Sequence, residues 1–357
     1  MKMLVTFILL GSAALAGHLA TVGTQTTVAE TIAAESPKTE AAAAPSASPK
    51  GLIVHEWGTF TSFSGSNGVP VNFLPNNSDL PGFVYHHAGD PFSKSDFLQR
   101  FGTVSMETPV IYFYADKEIQ ASIGVEFPKG WITEWYPHAA TAPDGNPQNP
   151  KKRLSMDAGE TIRWNIRLSP GEQVRLPREQ GENPYYHARE TDAVPLQTTF
   201  ELPENQSSEP FRGGGVTQRE TFLFYRGVGT FSPPVTVQAM GGGKVRVANA
   251  AGGRATGMVL LVVRNGQISF KALDSLEAGT ETVATLPETH NSSTELGSVI
   301  EKGLIAAGLY EREAQAMVKT WDHAWFREEG ARILYVLPRT RTDDLLPLTV
   351  SPQPSEI

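Results

Sequence analysis

The sequence predicts a mainly β, α+β protein: antiparallel, sandwich-like sheets followed by a C-terminal helical pair and a final strand. Three observations predict it. Residues 119–127 and 161–168 alternate strictly: Ile119, Ala121, Ile123, Val125 and Phe127 oppose polar neighbours, as do Ile162, Trp164, Ile166 and Leu168. That period-two pattern marks half-buried antiparallel strands. Asn265-Gly266 joins two apolar runs, 258–264 and 267–273, which is the strongest short-range hairpin signal. After residue 291 the periodicity becomes helical, opened by Ser292 and Glu295 at capping-box spacing.

The chain has 357 residues, a net charge of −8 and no cysteine. Disulfides, thiolate metal sites and thiol catalysis are therefore excluded. The acidic balance argues against a nucleic-acid partner, which a basic stripe would announce. Lys2, the apolar run that follows and Ala14-Leu15-Ala16 read as a secretory leader over residues 1–20. The run is shorter than the ~20 residues a spanning helix needs, so no membrane span is expected after processing. Residues 21–50, rich in Ala, Ser, Thr and Pro, read as a tether that cannot bury enough surface to order itself.

A β-rich region is expected over 51–290, divisible into packed subdomains 51–200 and 217–290. It opens with Val54-His55-Glu56-Trp57-Gly58-Thr59-Phe60. As a strand, this run sends His55 and Trp57 to one face and Glu56 to the other. Residues 64–103 form a long loop carrying Tyr85-His86-His87, and residues 106–114 a strand whose Pro109 implies an edge or a bulge. Residues 169–219 read as mostly loop, with Tyr185-Tyr186-His187-Ala188-Arg189-Glu190 inside it. Strands are expected at 221–228, 235–239 and 244–248 before the hairpin. Helices are expected over 293–308 and 311–329, where Ala314, Met317, Val318, Trp321 and Trp325 form one stripe. A strand at 332–337 completes the C-terminal region, 291–350, and a tail follows at 351–357.

Chemistry has several candidate carriers and no established motif. His55, Glu56, Glu107 and Glu190 are the candidate acid/base groups, since His and carboxylates supply most proton transfer near neutral pH. Glu107 lies in an apolar run and needs a cation if buried; Arg226, Arg189 and Arg332 are the candidates. Trp57, Arg189 and Arg226 are candidate ligand contacts. His86, His87, Glu134, His138 and His187 are candidate ligands for a divalent metal, although none falls in a His-Glu-x-x-His pattern. Two functions follow: an extracytoplasmic protein binding a ligand through long loops, or a metal-assisted hydrolase or lyase. Aromatic residues near turns, Trp131, Trp135, Tyr136, Tyr185 and Tyr186 among them, are either core or a platform for sugars or peptides.

Several of these runs together resemble a group of exported bacterial proteins without an assigned function. The resemblance rests on 54–62, on Met106-Glu107-Thr108-Pro109-Val110, on Glu134-Trp135-Tyr136-Pro137, on Ala188-Arg189-Glu190-Thr191-Asp192 and on Phe224-Tyr225-Arg226-Gly227. It implies a shared fold and export, and no activity. It also implies that similar chains continue past 345–349.

Overall fold

A computed structural model describes residues 2–10, 51–71, 80–86, 104–142, 159–201, 215–250 and 253–357. The chain begins with β1 (Lys2–Leu10), β2 (Ile53–Ser64), β3 (Pro70–Val71), β4 (Tyr85–His86), β5 (Val104–Tyr114), β6 (Ile119–Phe127) and β7 (Gly130–Tyr136). It continues through β8 (Glu160–Leu168), β9 (Leu196–Glu201), β10 (Gly215–Glu220), β11 (Leu223–Gly229), β12 (Val235–Gly241) and β13 (Lys244–Asn249). Then come β14 (Thr256–Arg264), β15 (Gln267–Ala272), β16 (Glu281–Thr285), β17 (His290–Asn291), α1 (Ser293–Ala306) and α2 (Glu311–Thr320). The last elements are α3 (Asp322–Phe326), β18 (Gly330–Val336), α4 (Arg339–Leu345) and β19 (Leu348–Ser351).

One large sheet runs β17-β15-β14-β18-β1-β2-β5-β11-β7-β4, with β3 paired to β2. A five-stranded sheet, β10-β9-β8-β6-β19, and a three-stranded sheet, β12-β13-β16, pack on one face of it. There Val54, Phe60, Ile111 and Phe113 meet Ile123, Val125, Ile162, Trp164, Val235 and Val245. The opposite face is covered by α1, α2 and α3, and by a 3-10 turn at Pro184–Arg189. Trp57, Tyr112 and Leu261 pack there against Tyr185, Leu296, Ile300, Met317 and Trp325. The predicted antiparallel, sandwich-like fold with C-terminal helices is what forms. The hairpin is also as expected: Arg264 pairs with Gln267, and Asn265 and Gly266 sit at φ 52° and 70°. The Ser292–Glu295 capping box forms in both directions.

Three expectations need correction, and the edge-or-bulge alternative at Pro109 resolves to the bulge. The single helix at 311–329 breaks at Trp321 (φ −103°, ψ 7°), leaving α2 and the short α3. Arg332, buried below α3, donates to the carbonyls of Ala324, Trp325 and Glu328, so a β18 side chain ends the helix that the stripe alone would continue. The loop expected at 169–219 contains β9 and β10, which pair with each other over six registers. Pro109 marks a bulge in a central strand, not an edge, because β5 is paired on both sides. The tail 351–357 is bonded to the first core strand: Val54 N–H donates to the Glu356 carbonyl at 3.0 Å, and Ser355 N–H to that of Leu52 at 2.8 Å.

Residues 2–10, the apolar part of the expected leader, form β1 between β2 and β18. Their backbone matches nine registers on β2 in parallel and six on β18 antiparallel. Two central strands thus share one partner. A chain cut after Ala16 is expected to melt at lower temperature than the intact chain and to bind more of a hydrophobic dye, because both strands lose a ladder of backbone hydrogen bonds. Identical melting curves for the cut and intact chains would show that the ladder is dispensable.

Candidate binding site

The geometry of the site follows from strand irregularities at one place in the large sheet. Three ladders slip register close together. Trp57 faces Val110 but Thr59 faces Glu107; Phe224 faces Val110 but Gly227 faces Met106; Arg226 faces Glu134 but Gly227 faces Ile132. Proline has no N–H for a ladder, so β5 must bulge at Pro109. It bulges over Gly58, where an added Cβ would lie 2.8 Å from the Pro109 Cα. Bulges re-aim side chains and concentrate beside functional sites. Here they bring together Glu107 of β5, Thr133 and Glu134 of β7, and Arg226 of β11.

Arg226 is fully buried and binds two carboxylates. Its Nε donates to Glu134 Oε2 at 2.9 Å and its Nη2 to Glu134 Oε1 at 3.4 Å, while Nη1 donates to Glu107 Oε2 at 3.5 Å. Thr133 donates to Glu134, and Ser105 to Glu107. One guanidinium thus bridges two carboxylates. The cluster reaches solvent at one side, where Glu107 is 14% exposed and His86 is 59% exposed with its Nδ1 3.8 Å from Glu134 Oε1.

His86 belongs to β4, the edge strand of the sheet. Its neighbour Tyr85 lies opposite Trp135 and stacks on it, with centroids 6.3 Å apart and planes at 16°. Gln218 ties this edge to the second sheet: its Nε2 donates to Tyr85 Oη at 2.8 Å and its Oε1 accepts from His138 N–H at 2.8 Å. The His138 ring lies flat on Phe200, 3.8 Å away at 8°, and burial holds its pKa below the usual imidazole value.

The other candidates are placed elsewhere. His55 and Glu56 go to opposite faces, as alternation requires: His55 Nδ1 meets Glu313 on α2, and Glu56 accepts from the Tyr225 hydroxyl. Trp57 is wholly buried 6.1 Å from Tyr112, so it is core and not a ligand contact. Arg189 is likewise committed within the fold. Its Nε and Nη2 clasp the buried Glu220 at 3.0 and 2.6 Å, and the guanidinium lies over the Tyr185 and Tyr186 rings. Burial raises the Glu220 carboxyl pKa, and Arg189 opposes that rise. His187 and Glu190 form a half-exposed pair at 2.8 Å, joined by Lys319 at 2.5 Å; those two hydrogen bonds lower the Glu190 pKa. His87 lies outside the described residues. Of the metal candidates only His86 and Glu134 are brought together, and no group of three His, Asp or Glu among the described residues is placed to hold an ion. The shared His/Glu metal centre expected from the sequence therefore does not form among them.

Sequence reasoning missed Glu313, Glu220, Ser105, Thr133 and Gln218. Only Glu313 had a local signal, as the N3 carboxylate of α2 bonded back to the Tyr310 N–H at 2.8 Å. No protein-family model, curated protein or solved structure matches the chain.

Proposed function

We propose that this chain is an exported, extracytoplasmic binding protein whose ligand is a hydroxyl-rich carbohydrate seated on the Tyr85–His86 edge. Export rests on the leader-like N-terminus and on the resemblance to exported bacterial proteins. The binding reading is carried by one observation: on the edge strand of the sheet among the described residues, Tyr85 turns a half-buried stacked ring to one face and His86 reaches a partly open carboxylate pair on the other. Tyr85 offers a ring to the C–H face of a sugar. On the other face of the strand Glu107 and Glu134 offer acceptors, and His86 a donor or acceptor, to hydroxyls of a sugar that wraps the strand edge. Arg226 holds both carboxylates in place, so their positions cost the ligand little ordering entropy. The long loops expected to bind the ligand, 72–79 and 87–103, lie outside the described residues.

The test is titration of the protein with soluble cello-, chito-, malto- and xylo-oligosaccharides, read by tryptophan fluorescence and thermal shift. Saturable binding of one series is expected, weakened about tenfold or more (~1.4 kcal/mol) by Tyr85→Ala and by Glu107→Gln. No binding at millimolar sugar, or equal binding by both variants, would remove the reading.

A further inference from the structure

We infer that a hollow between α1 and the large sheet is a second binding site, one that takes a small uncharged hydrocarbon ring of about benzene size. The hollow has a volume of about 140 Å³. Val299, Ile300 and Leu304 of α1 form its roof, and Val259, Leu273 and Leu334 its floor. That floor comes from β14, β18 and the end of β15, at the far end of the large sheet from β4. The hollow therefore lies apart from the carbohydrate edge.

Two glycines open it. β14 slips register against β18 between Thr256 and Val259, and Gly257 occupies that bulge at φ 58°. A left-handed backbone favours glycine, so the floor carries no side chain at this point. Above it stands Gly303, in the last turn of α1. Outside the helix's own backbone, the atom nearest to a Cβ added at Gly303 is the Gly257 Cα at 4.0 Å, an ordinary contact. Close packing does not require glycine here, unlike at Gly227, where a Cβ would strike the Trp131 carbonyl. Alanine would fit and would favour the helix; glycine instead leaves room facing the hollow.

The lining decides the chemistry. Among the described residues, no Asp, Glu, Lys, Arg or His borders the hollow, and Val259, Ile300, Leu304 and Leu334 are all buried. A water held in a cavity needs roughly two to four polar partners, and side chains of this kind supply none. Protein interiors leave few voids larger than a water molecule, so an empty hollow forfeits dispersion contacts along its walls. A hydrocarbon ring restores those contacts and asks for no hydrogen bond. Dry cavities of about 150 Å³ lined by Leu, Ile and Phe accept benzene, which sets the size of the ligand. A charged or hydroxyl-rich molecule would lose its hydration there with nothing to replace it, so the sugar of the β4 edge does not compete for the hollow.

The experiment titrates the full chain with benzene by calorimetry, with perturbation of Ile and Leu methyl resonances as a second readout. One benzene per chain is expected, with the methyls of Ile300 and Leu304 among those that move. Gly303→Leu puts a side chain into the hollow and should weaken benzene binding about tenfold or more, while melting no lower than the wild type. Gly303→Ala, a change that the 4.0 Å contact tolerates, covers the case in which leucine does not fold, and should weaken binding in the same direction. No saturable benzene binding by the wild-type chain, or undiminished binding by both Gly303 variants, would overturn the site and mark the hollow as a packing gap. Neither arm touches Tyr85 or Glu107, so this inference and the carbohydrate reading stand or fall separately.

Discussion

Replacing Arg226 with methionine is expected to destabilise the protein by about 3–5 kcal/mol at neutral pH, measured by urea denaturation. The size follows from what the substitution leaves behind. Arg226 is the cation donating to both Glu134 and Glu107, and Glu134 is nearly as buried as the arginine. Methionine fills much the same volume, so lost packing is minor. The cost lies in carboxylates kept away from water without their guanidinium. A double variant separates this from a general packing defect. Adding Glu134→Gln to Arg226→Met should recover part of the loss, with a coupling on the order of 1–3 kcal/mol. A single-variant loss under ~1 kcal/mol would mean that water reaches the cluster and that its burial is not what matters.

That cluster also shows how far the sequence could be read. Arg226 was one of three candidate cations for Glu107, and the structure selects it; Arg189 is committed to Glu220 and Arg332 to the carbonyls ending α3. Glu134 could not be added from sequence, because its approach depends on the register slip between β7 and β11, which no local pattern announces. The same distinction holds for the fold. β6, β8, the Asn265-Gly266 turn and the N-cap of α1 were legible because alternation and turn chemistry are local. β10 was not: Gly215–Glu220 is polar on both faces, and its strand character comes from pairing with β9. His55 and Glu313 are 258 residues apart, so the contact that decides the role of the opening motif is purely tertiary. Strand alternation could say that His55 and Glu56 part company. It could not say that one meets a helix N-terminus and the other a tyrosine.

The second large effect is expected at Gly227. Gly227→Ala should destabilise the protein by more than ~4 kcal/mol or prevent its folding, read as lost soluble yield and a lowered melting temperature. A Cβ at this position would collide with the Trp131 carbonyl oxygen, a backbone atom that cannot swing aside. The collision is built into the site, because β11 and β7 approach this closely where the ladder slips between Arg226 and Gly227. Gly58→Ala should behave similarly and less severely, its Cβ meeting the Pro109 backbone at 2.8 and 3.0 Å. The control is Gly297→Ala in α1, where the nearest atom to an added Cβ is a Val318 methyl at 3.6 Å, an ordinary contact. Alanine there should stabilise by about 0.5–1 kcal/mol through helix propensity alone. Opposite signs at Gly227 and Gly297 would establish that glycine in the Arg226-Gly227 and Trp57-Gly58 pairs serves close backbone approach. Each glycine then has a functional consequence: the bulges that admit no side chain are the ones that turn Glu107, Glu134 and Arg226 toward one another. A tolerated Gly227→Ala would instead mean that the strands can part there, and the fixed geometry assigned to the carboxylate pair would fall with it.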